Sequence, residues 1–201
     1  MKKAGKIFLD LFRESLTLWF FTFSISLTSL LILVIKNETV NLLLLIVIMG
    51  ISLMMNFVLV RPVGEKHYRA RLAIDARDRY KEEYGVAPEG NFKDHATFAP
   101  WKGFALTALV HIPLLILLVL KEVLPMPSAE KVEMAAIFAY QLYGGLVRLI
   151  SVTADAWFML ICAFLAIFAG GIGYLCGGIK QYRIQKRIER RHNDIYGDIQ
   201  K

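Results

Sequence analysis

Four long runs without a charged residue constrain this chain more than any other feature. They are Leu16–Ile35, Val40–Val60, Gly103–Leu120 and Ala156–Ile179. A helix needs about 20 predominantly apolar residues to cross the hydrocarbon core of a bilayer. The third run is the shortest, but Trp101 and Lys102 can extend it into the head-group region. The pattern predicts an all-α integral membrane protein with four transmembrane helices.

The composition supports this class. Of the 201 residues, 56% are hydrophobic and 20% are charged, and the charged residues lie in blocks between the apolar runs. A soluble domain would scatter its charges over its surface elements. The predicted segments are an amphipathic N-terminal segment (1–15), a transmembrane hairpin (16–60), a loop (61–102), a third helix (103–120), a second loop (121–155), a fourth helix (156–179) and a basic tail (180–201).

Lysine and arginine residues are unevenly distributed over these segments. Segments 1–15, 61–102 and 180–201 together hold twenty of them, whereas the turn 36–39 and the loop 121–155 hold four. Basic residues concentrate in the short cytoplasmic loops of membrane proteins. We therefore expect both termini and the 61–102 loop in the cytoplasm, and we expect the chain in a prokaryotic cytoplasmic membrane.

One further segment, Val132–Ile150, is fairly apolar and would change this topology if it crossed the bilayer. It contains Glu133 and Arg148. A charged residue near the centre of a transmembrane helix costs roughly 2.5–3.5 kcal/mol on insertion scales. The sequence therefore favours an interfacial or re-entrant element on the outer side, after the break at Pro125 and Pro127.

The 61–102 loop carries a weakly apolar stripe with helical spacing. The stripe consists of Tyr68, Leu72, Ala76, Tyr80 and Tyr84. It predicts an amphipathic helix that ends at Gly85. Two interpretations stay open: a solvated arm at the head groups, or a docking surface for a cytoplasmic partner.

The C-terminal tail predicts a second amphipathic helix, which is strongly basic. Its basic residues are Lys180, Arg183, Lys186, Arg187, Arg190 and Arg191. Such a cluster just cytoplasmic of a transmembrane helix attracts anionic lipid head groups by about 1 kcal/mol per charge. It can equally bind a partner or only fix the topology. We do not expect nucleic-acid binding at a membrane surface.

The fourth run contains a stripe of small residues. Ala163, Ala166, Gly170, Gly173 and Gly177 follow alternating spacings of three and four, so they share one helix face. Small residues let two helix backbones approach closely inside lipid. The stripe predicts a packing surface, either for another helix of this chain or for a homo-oligomer or partner subunit.

His111 lies near the middle of the third run, two residues before Pro113. An ionisable side chain at this depth is a candidate functional site. We expect Thr107, one turn earlier, to be its hydrogen-bond partner, and Asn56 in the second helix to contribute to an intramembrane polar site. The alternative is a neutral histidine with satisfied hydrogen bonds that serves packing.

The sequence contains none of the common nucleotide-binding or metal-binding motifs. We therefore expect no cofactor and no metal, and no catalytic residue is assigned. The favoured function is that of a non-enzymatic subunit or interaction protein of a membrane complex or homo-oligomer. A small transporter or channel-like protein with a site around His111 is the first alternative. A lipid-modifying enzyme is the second, with Asp94, His95 and His67 as its candidate residues.

Overall fold

Four helices of this chain are long and apolar enough to cross a membrane, as the sequence predicts. The computed structural model describes residues 3–32, 34–88, 90, 97–150 and 156–196. The helices in this part of the chain are α1 (Lys3–Ile32), α2 (Glu38–Tyr84), α3 (Trp101–Val123), α4 (Ser128–Ala139), α5 (Gln141–Ile150) and α6 (Met159–Tyr196). A short 3₁₀ turn (Ala156–Phe158) precedes α6. The membrane-crossing candidates are α1, α2, α3 and α6.

Helix α2 continues far beyond its apolar run. Its first turn is capped by the side chain of Asn37, which accepts from the Val40 N–H, and Gly85 ends it with a left-handed φ of 72°. The predicted end at Gly85 is therefore correct, but the stripe from Tyr68 to Tyr84 is not on a separate helix. At about 1.5 Å per residue, the 47 residues of α2 extend about 70 Å, more than twice the thickness of a hydrocarbon core.

Helix α6 behaves in the same way, because the basic tail continues it without a break to Tyr196. Helix α1 likewise runs from Lys3 through the predicted boundary at Leu16. The boundaries between polar and apolar segments are thus changes in composition along continuous helices, and they are not helix ends. No glycine or proline stands between Lys6 and Ile32 to interrupt the first of them.

Helices α2 and α6 form a parallel pair that is the axis of the fold, because their contacts advance in the same direction along both helices. The backbone of Phe57 lies against Gly173, and the backbone of Arg61 lies against Gly177. Further along, Glu65 contacts Gln181. The inward face of α2 consists of Asn41, Leu45, Met49, Ser52, Asn56, Val60, Gly64 and His67, all of them buried.

The small-residue stripe of α6 packs inside the chain. A Cβ atom on Gly173 or Gly177 would overlap backbone atoms of α2, and one on Gly170 would overlap the side chain of Thr107 in α3. Ala163 and Ala166 are buried in the same interface region. Because α2 and α3 cover this face, a second copy or a partner subunit would have to use another surface.

The segment between α3 and α6 folds back into the bundle as a helical hairpin. Lys121 of α3 pairs with Glu133 of α4 at 3.5 Å. Seven residues after Glu133, just past the end of α4, the hydroxyl of Tyr140 donates to the carbonyl of Val110 at 2.7 Å. Helix α4 therefore runs antiparallel to α3, and the chain reverses beside the middle of α3. In this segment the carboxylate of Glu133 is therefore paired with a basic side chain, and the side chain of Tyr140 is buried.

Candidate functional site

His111 is held in a closed hydrogen-bonded network at the tip of the α4–α5 hairpin. Its Nδ1 lies 3.0 Å from the carbonyl oxygen of Thr107, and its Nε2 lies 3.0 Å from the hydroxyl of Tyr143. A carbonyl can only accept, so Nδ1 carries the proton and Nε2 accepts from Tyr143. Both ring nitrogens are engaged, and 5% of His111 is exposed. This is the arrangement of a neutral packing histidine.

Thr107 is a neighbour of His111 as predicted, but the contact uses its backbone. Its hydroxyl lies 2.9 Å from the carbonyl of Gly103 and 3.1 Å from the carbonyl of Ile167 in α6. The close approach is possible because Gly170 has no side chain at this point. Thr107 therefore links α3 to α6.

Tyr140 completes the network at the proline of α3. Pro113 has no N–H to donate, which weakens the helix ladder at this level. The hydroxyl of Tyr140 donates to the Val110 carbonyl and also bonds the backbone of Leu114. Its ring lies 5.9 Å from that of Tyr143, which in turn stacks on His111 at 5.8 Å. The sequence did not predict the two tyrosines, because the α4–α5 hairpin brings them to α3 from 30 residues away or more.

Asn56, the third residue of the predicted site, lies elsewhere on the buried face of α2. Its amide donates to the Ser52 carbonyl at 2.9 Å, and its side-chain oxygen has no hydrogen-bond donor within the described part of the chain. No hydrogen bond joins it to His111 among these residues. The structure therefore brings together His111 and Thr107, without Asn56.

A second polar cluster joins α1, α2 and α6 near the N-terminal end of α3. His67 of α2 lies with Nδ1 2.9 Å from the hydroxyl of Tyr174 in α6. Its Nε2 lies 3.3 Å from a carboxylate oxygen of Glu14 in α1, without the alignment of a hydrogen bond. The other oxygen of Glu14 accepts from Lys66 at 2.7 Å. The backbone of Ala99 bonds the hydroxyl of Tyr174.

This row of a carboxylate, an imidazole and a phenol resembles a proton relay in its order only. His67 is 2% exposed and Tyr174 is fully buried, so the imidazole and the phenol are not accessible to a substrate. The row instead fixes α1, α2 and α6 relative to each other. Sequence analysis did not find it, because its members lie on separate helices. One signal was available in the sequence. His67 follows Val60 and Gly64 at helical spacing, which places it on the same, buried face of α2.

A cleft of about 570 Å³ opens beside this cluster, between α1, α2 and α3. Charged side chains of Asp10, Arg13, Glu14 and Lys66 line one part of it. Apolar side chains line the remainder, among them Leu18, Leu59, Val60 and Leu106. The cleft is therefore amphipathic, with its charged part beside the N-terminal part of α1 and Lys66 of α2.

The basic residues of α6 fall into two groups. Lys180 donates to Glu65 of α2 at 2.8 Å, and this hydrogen bond lowers the pKa of Glu65. Beyond it, one face of the helix presents four basic side chains around a shallow pocket of about 160 Å³. We call this surface the basic face; it consists of Arg183, Lys186, Arg187 and Arg190. Arg191 is exposed next to it.

The remaining candidates do not form a site. Asp94 and His95 lie outside the described residues. Among the residues that the structure describes, no three His, Cys, Asp or Glu side chains come together as metal ligands. No family model matches the chain, and comparisons with curated proteins and with solved structures find no match.

Proposed function

We propose that this chain spans the membrane four times with both termini in the cytoplasm. Three basic segments lie in 1–15, 61–102 and 180–201, and ion pairs join them to one another. Glu14 pairs with Lys66, and Glu65 pairs with Lys180. These contacts support a single basic end of the bundle, and the positive-inside rule assigns such an end to the cytoplasm.

The function that follows is that of a non-enzymatic interaction subunit, which binds an acidic partner protein through the basic face of α6. The observation that carries this proposal is the continuity of α6. The helix continues past Gln181, the last buried residue of its basic part, and carries the basic face onward, attached to α2 through Glu65. Within the described residues, no carboxylate pairs with Arg183, Arg187 or Arg190.

The geometry favours a partner protein over lipid as the main ligand of the basic face. On a straight helix, Arg190 lies about 16 Å beyond Ile179. The attraction to anionic lipid decays over a Debye length, which is about 8 Å at physiological salt. Arg183 stays within that range, whereas the distal charges reach beyond it. A partner with an acidic surface can engage all of them.

The two alternatives receive less support. Transport past His111 would need an open polar group, and both nitrogens of the ring are engaged. A lipid-modifying enzyme would need an accessible nucleophile or general base, whereas His67 is buried. A homo-oligomer remains compatible with the lipid-facing surface, although not with the stripe that includes Gly173.

Purification in a mild detergent tests the proposal. The wild-type chain should purify with a discrete acidic partner, and the variant Arg183→Glu/Arg187→Glu/Arg190→Glu should lose it while remaining folded. The charge reversal repels an acidic surface and weakens such a complex by several kcal/mol.

A control variant on the exposed part of α2 distinguishes the effect of the basic face from the effect of net charge alone. Arg71→Glu/Arg79→Glu/Lys81→Glu makes the same change in net charge on the exposed part of α2. This variant should keep the partner. A partner that leaves both variants equally, or one that stays with the α6 variant, contradicts the proposal.

A further inference from the structure

The cleft between α1 and α2 lies at the border between the polar and the apolar parts of both helices. The uncharged run of α1 begins at Leu16, and that of α2 ends at Val60. Glu14 and Lys66, on the polar side, meet at 2.7 Å. Leu18 and Val60, on the apolar side, line the same cleft. In a membrane this border is the level of the lipid head groups.

The charged part of the cleft is balanced, with two basic and two acidic side chains. Glu14 is already engaged by Lys66 and His67, and Asp10 has an interaction of its own. Lys66 keeps further N–H groups, since an ammonium has three donors and its side chain is 68% exposed. Arg13 is exposed and pairs with no carboxylate among the described residues. Two cationic groups are therefore open to an anionic ligand, in surroundings of zero net charge.

The apolar part of the cleft excludes a purely polar ligand. Its innermost wall is formed by Leu18, Val60 and Leu106, which are 2% exposed or less. The volume of about 570 Å³ lies within the range of ligand pockets, roughly 300–1,000 Å³. A ligand that satisfies both parts is an amphiphile with a charged head and an apolar tail.

We propose that this cleft binds one zwitterionic glycerophospholipid from the cytoplasmic leaflet. Its phosphate contacts Arg13 and Lys66, and its ammonium group lies on the side of Asp10. The first part of an acyl chain follows Leu18, Leu59 and Leu106 into the bilayer. Charge balance favours a zwitterionic head group over an anionic one. The site is independent of the basic face of α6.

Native mass spectrometry of the delipidated full-length chain in detergent tests this site with four probes. Phosphatidylethanolamine should bind with a stoichiometry of one, and phosphatidylglycerol should bind more weakly. Diacylglycerol has the chains without the head, and glycerophosphoethanolamine has the head without the chains; neither should bind measurably. Equal binding of the soluble head group would assign the cleft to a free phosphate compound. Equal binding of diacylglycerol or phosphatidylglycerol would overturn the choice of head group.

Variants then locate the lipid. Arg13→Gln/Lys66→Gln should weaken phosphatidylethanolamine binding about 25-fold, since each basic residue near a phosphate contributes about fivefold. Lys6→Gln/Arg69→Gln, on the same two helices but away from the cleft, should leave it unchanged. Leu59→Trp should abolish binding by filling the apolar part.

Arg13→Gln alone keeps the test valid if loss of Lys66 disturbs the fold, because Arg13 is exposed. This single variant should bind about fivefold more weakly at an unchanged melting temperature. Lipid retention that is insensitive both to Arg13→Gln and to Leu59→Trp would show that the bound lipid lies elsewhere.

Discussion

The two halves of the α2–α6 pair are held together by different forces. Along 57–64 of α2 the contact is steric, with Gly173 and Gly177 of α6 lying directly on the backbone of α2. From Glu65 onward the contact depends on polar groups: Glu65 accepts from Lys180 and Gln181, and His67 contacts Tyr174. After His67 most side chains of α2 become exposed. In the buried half, Gly173 and Gly177 have no room for a side chain, whereas the projecting half leaves its surface exposed. The steric contacts of the pair and the surface for which we propose a partner therefore lie on different parts of the two helices.

The largest effect is expected from Gly177→Ala in the buried half. The added methyl group would overlap the carbonyl oxygen of Arg61, which belongs to a helix backbone and cannot rotate away. Overpacking of this kind costs typically 1–3 kcal/mol, and we expect the upper end of that range. Unfolding in mixed detergent micelles measures it.

Gly50→Ala is the matched control for this substitution. It changes a glycine on the same pair of helices, at a site with no atom within 4 Å of the new Cβ. Alanine is the better helix former by about 1 kcal/mol, so this variant should be neutral or slightly more stable. Equal destabilisation by both variants would mean that the steric contact is not what holds the buried half.

A smaller effect is expected from breaking the His111–Tyr143 contact. His111→Leu leaves the Tyr143 hydroxyl buried without an acceptor and should cost about 1–3 kcal/mol. His111→Gln should be nearly neutral, because its amide can donate to the Thr107 carbonyl and accept from Tyr143. Addition of Tyr143→Phe to His111→Leu should recover most of the loss.

The His111→Gln variant also tests the alternative function of His111. If any measured activity changes its pH dependence in His111→Gln while stability is kept, the histidine serves proton exchange and the packing role is wrong. Unchanged activity and stability agree with the packing role.

The stability contributed by the Glu65–Lys180 contact, at the border between the two halves, should depend weakly on pH. Hydrogen bonding to Lys180 lowers the pKa of Glu65 in the folded chain. A group whose folded pKa is lowered stabilises above its unfolded pKa, and this stabilisation is lost as the pH falls through the folded value. Glu65→Gln should therefore cost about 0.5 kcal/mol at neutral pH, as is usual for solvated ion pairs. The difference should begin to decrease as the pH falls below the unfolded pKa of about 4.5, and it should vanish once the pH is below the lowered folded pKa. A difference that does not decrease at all between pH 7 and pH 3 would show that packing, not charge, makes this contact.

The four spanning helices and the packing face of α6 could be predicted because each is a local property of the sequence. Uninterrupted apolar length defines a spanning helix, and the spacing of Gly170, Gly173 and Gly177 defines one face. The sequence could not show that α2 and α3 cover this face. It also could not show that Glu133 meets Lys121, which is what lets the α4–α5 hairpin pack in the bundle. The Glu14–His67–Tyr174 cluster escaped prediction for the same reason, since only the tertiary fold brings its members together.

Substituted-cysteine labelling tests the topology on which the whole account depends. In a chain with Cys162 and Cys176 replaced by alanine, a cysteine at Arg191 should react with a membrane-impermeant reagent only after the cells are opened. A cysteine at Lys131, in α4 on the predicted outer side, should react in intact cells. Reaction at position 191 in intact cells would place the C-terminus outside, through an odd number of crossings or the inverted orientation, and would contradict the four-helix topology with cytoplasmic termini.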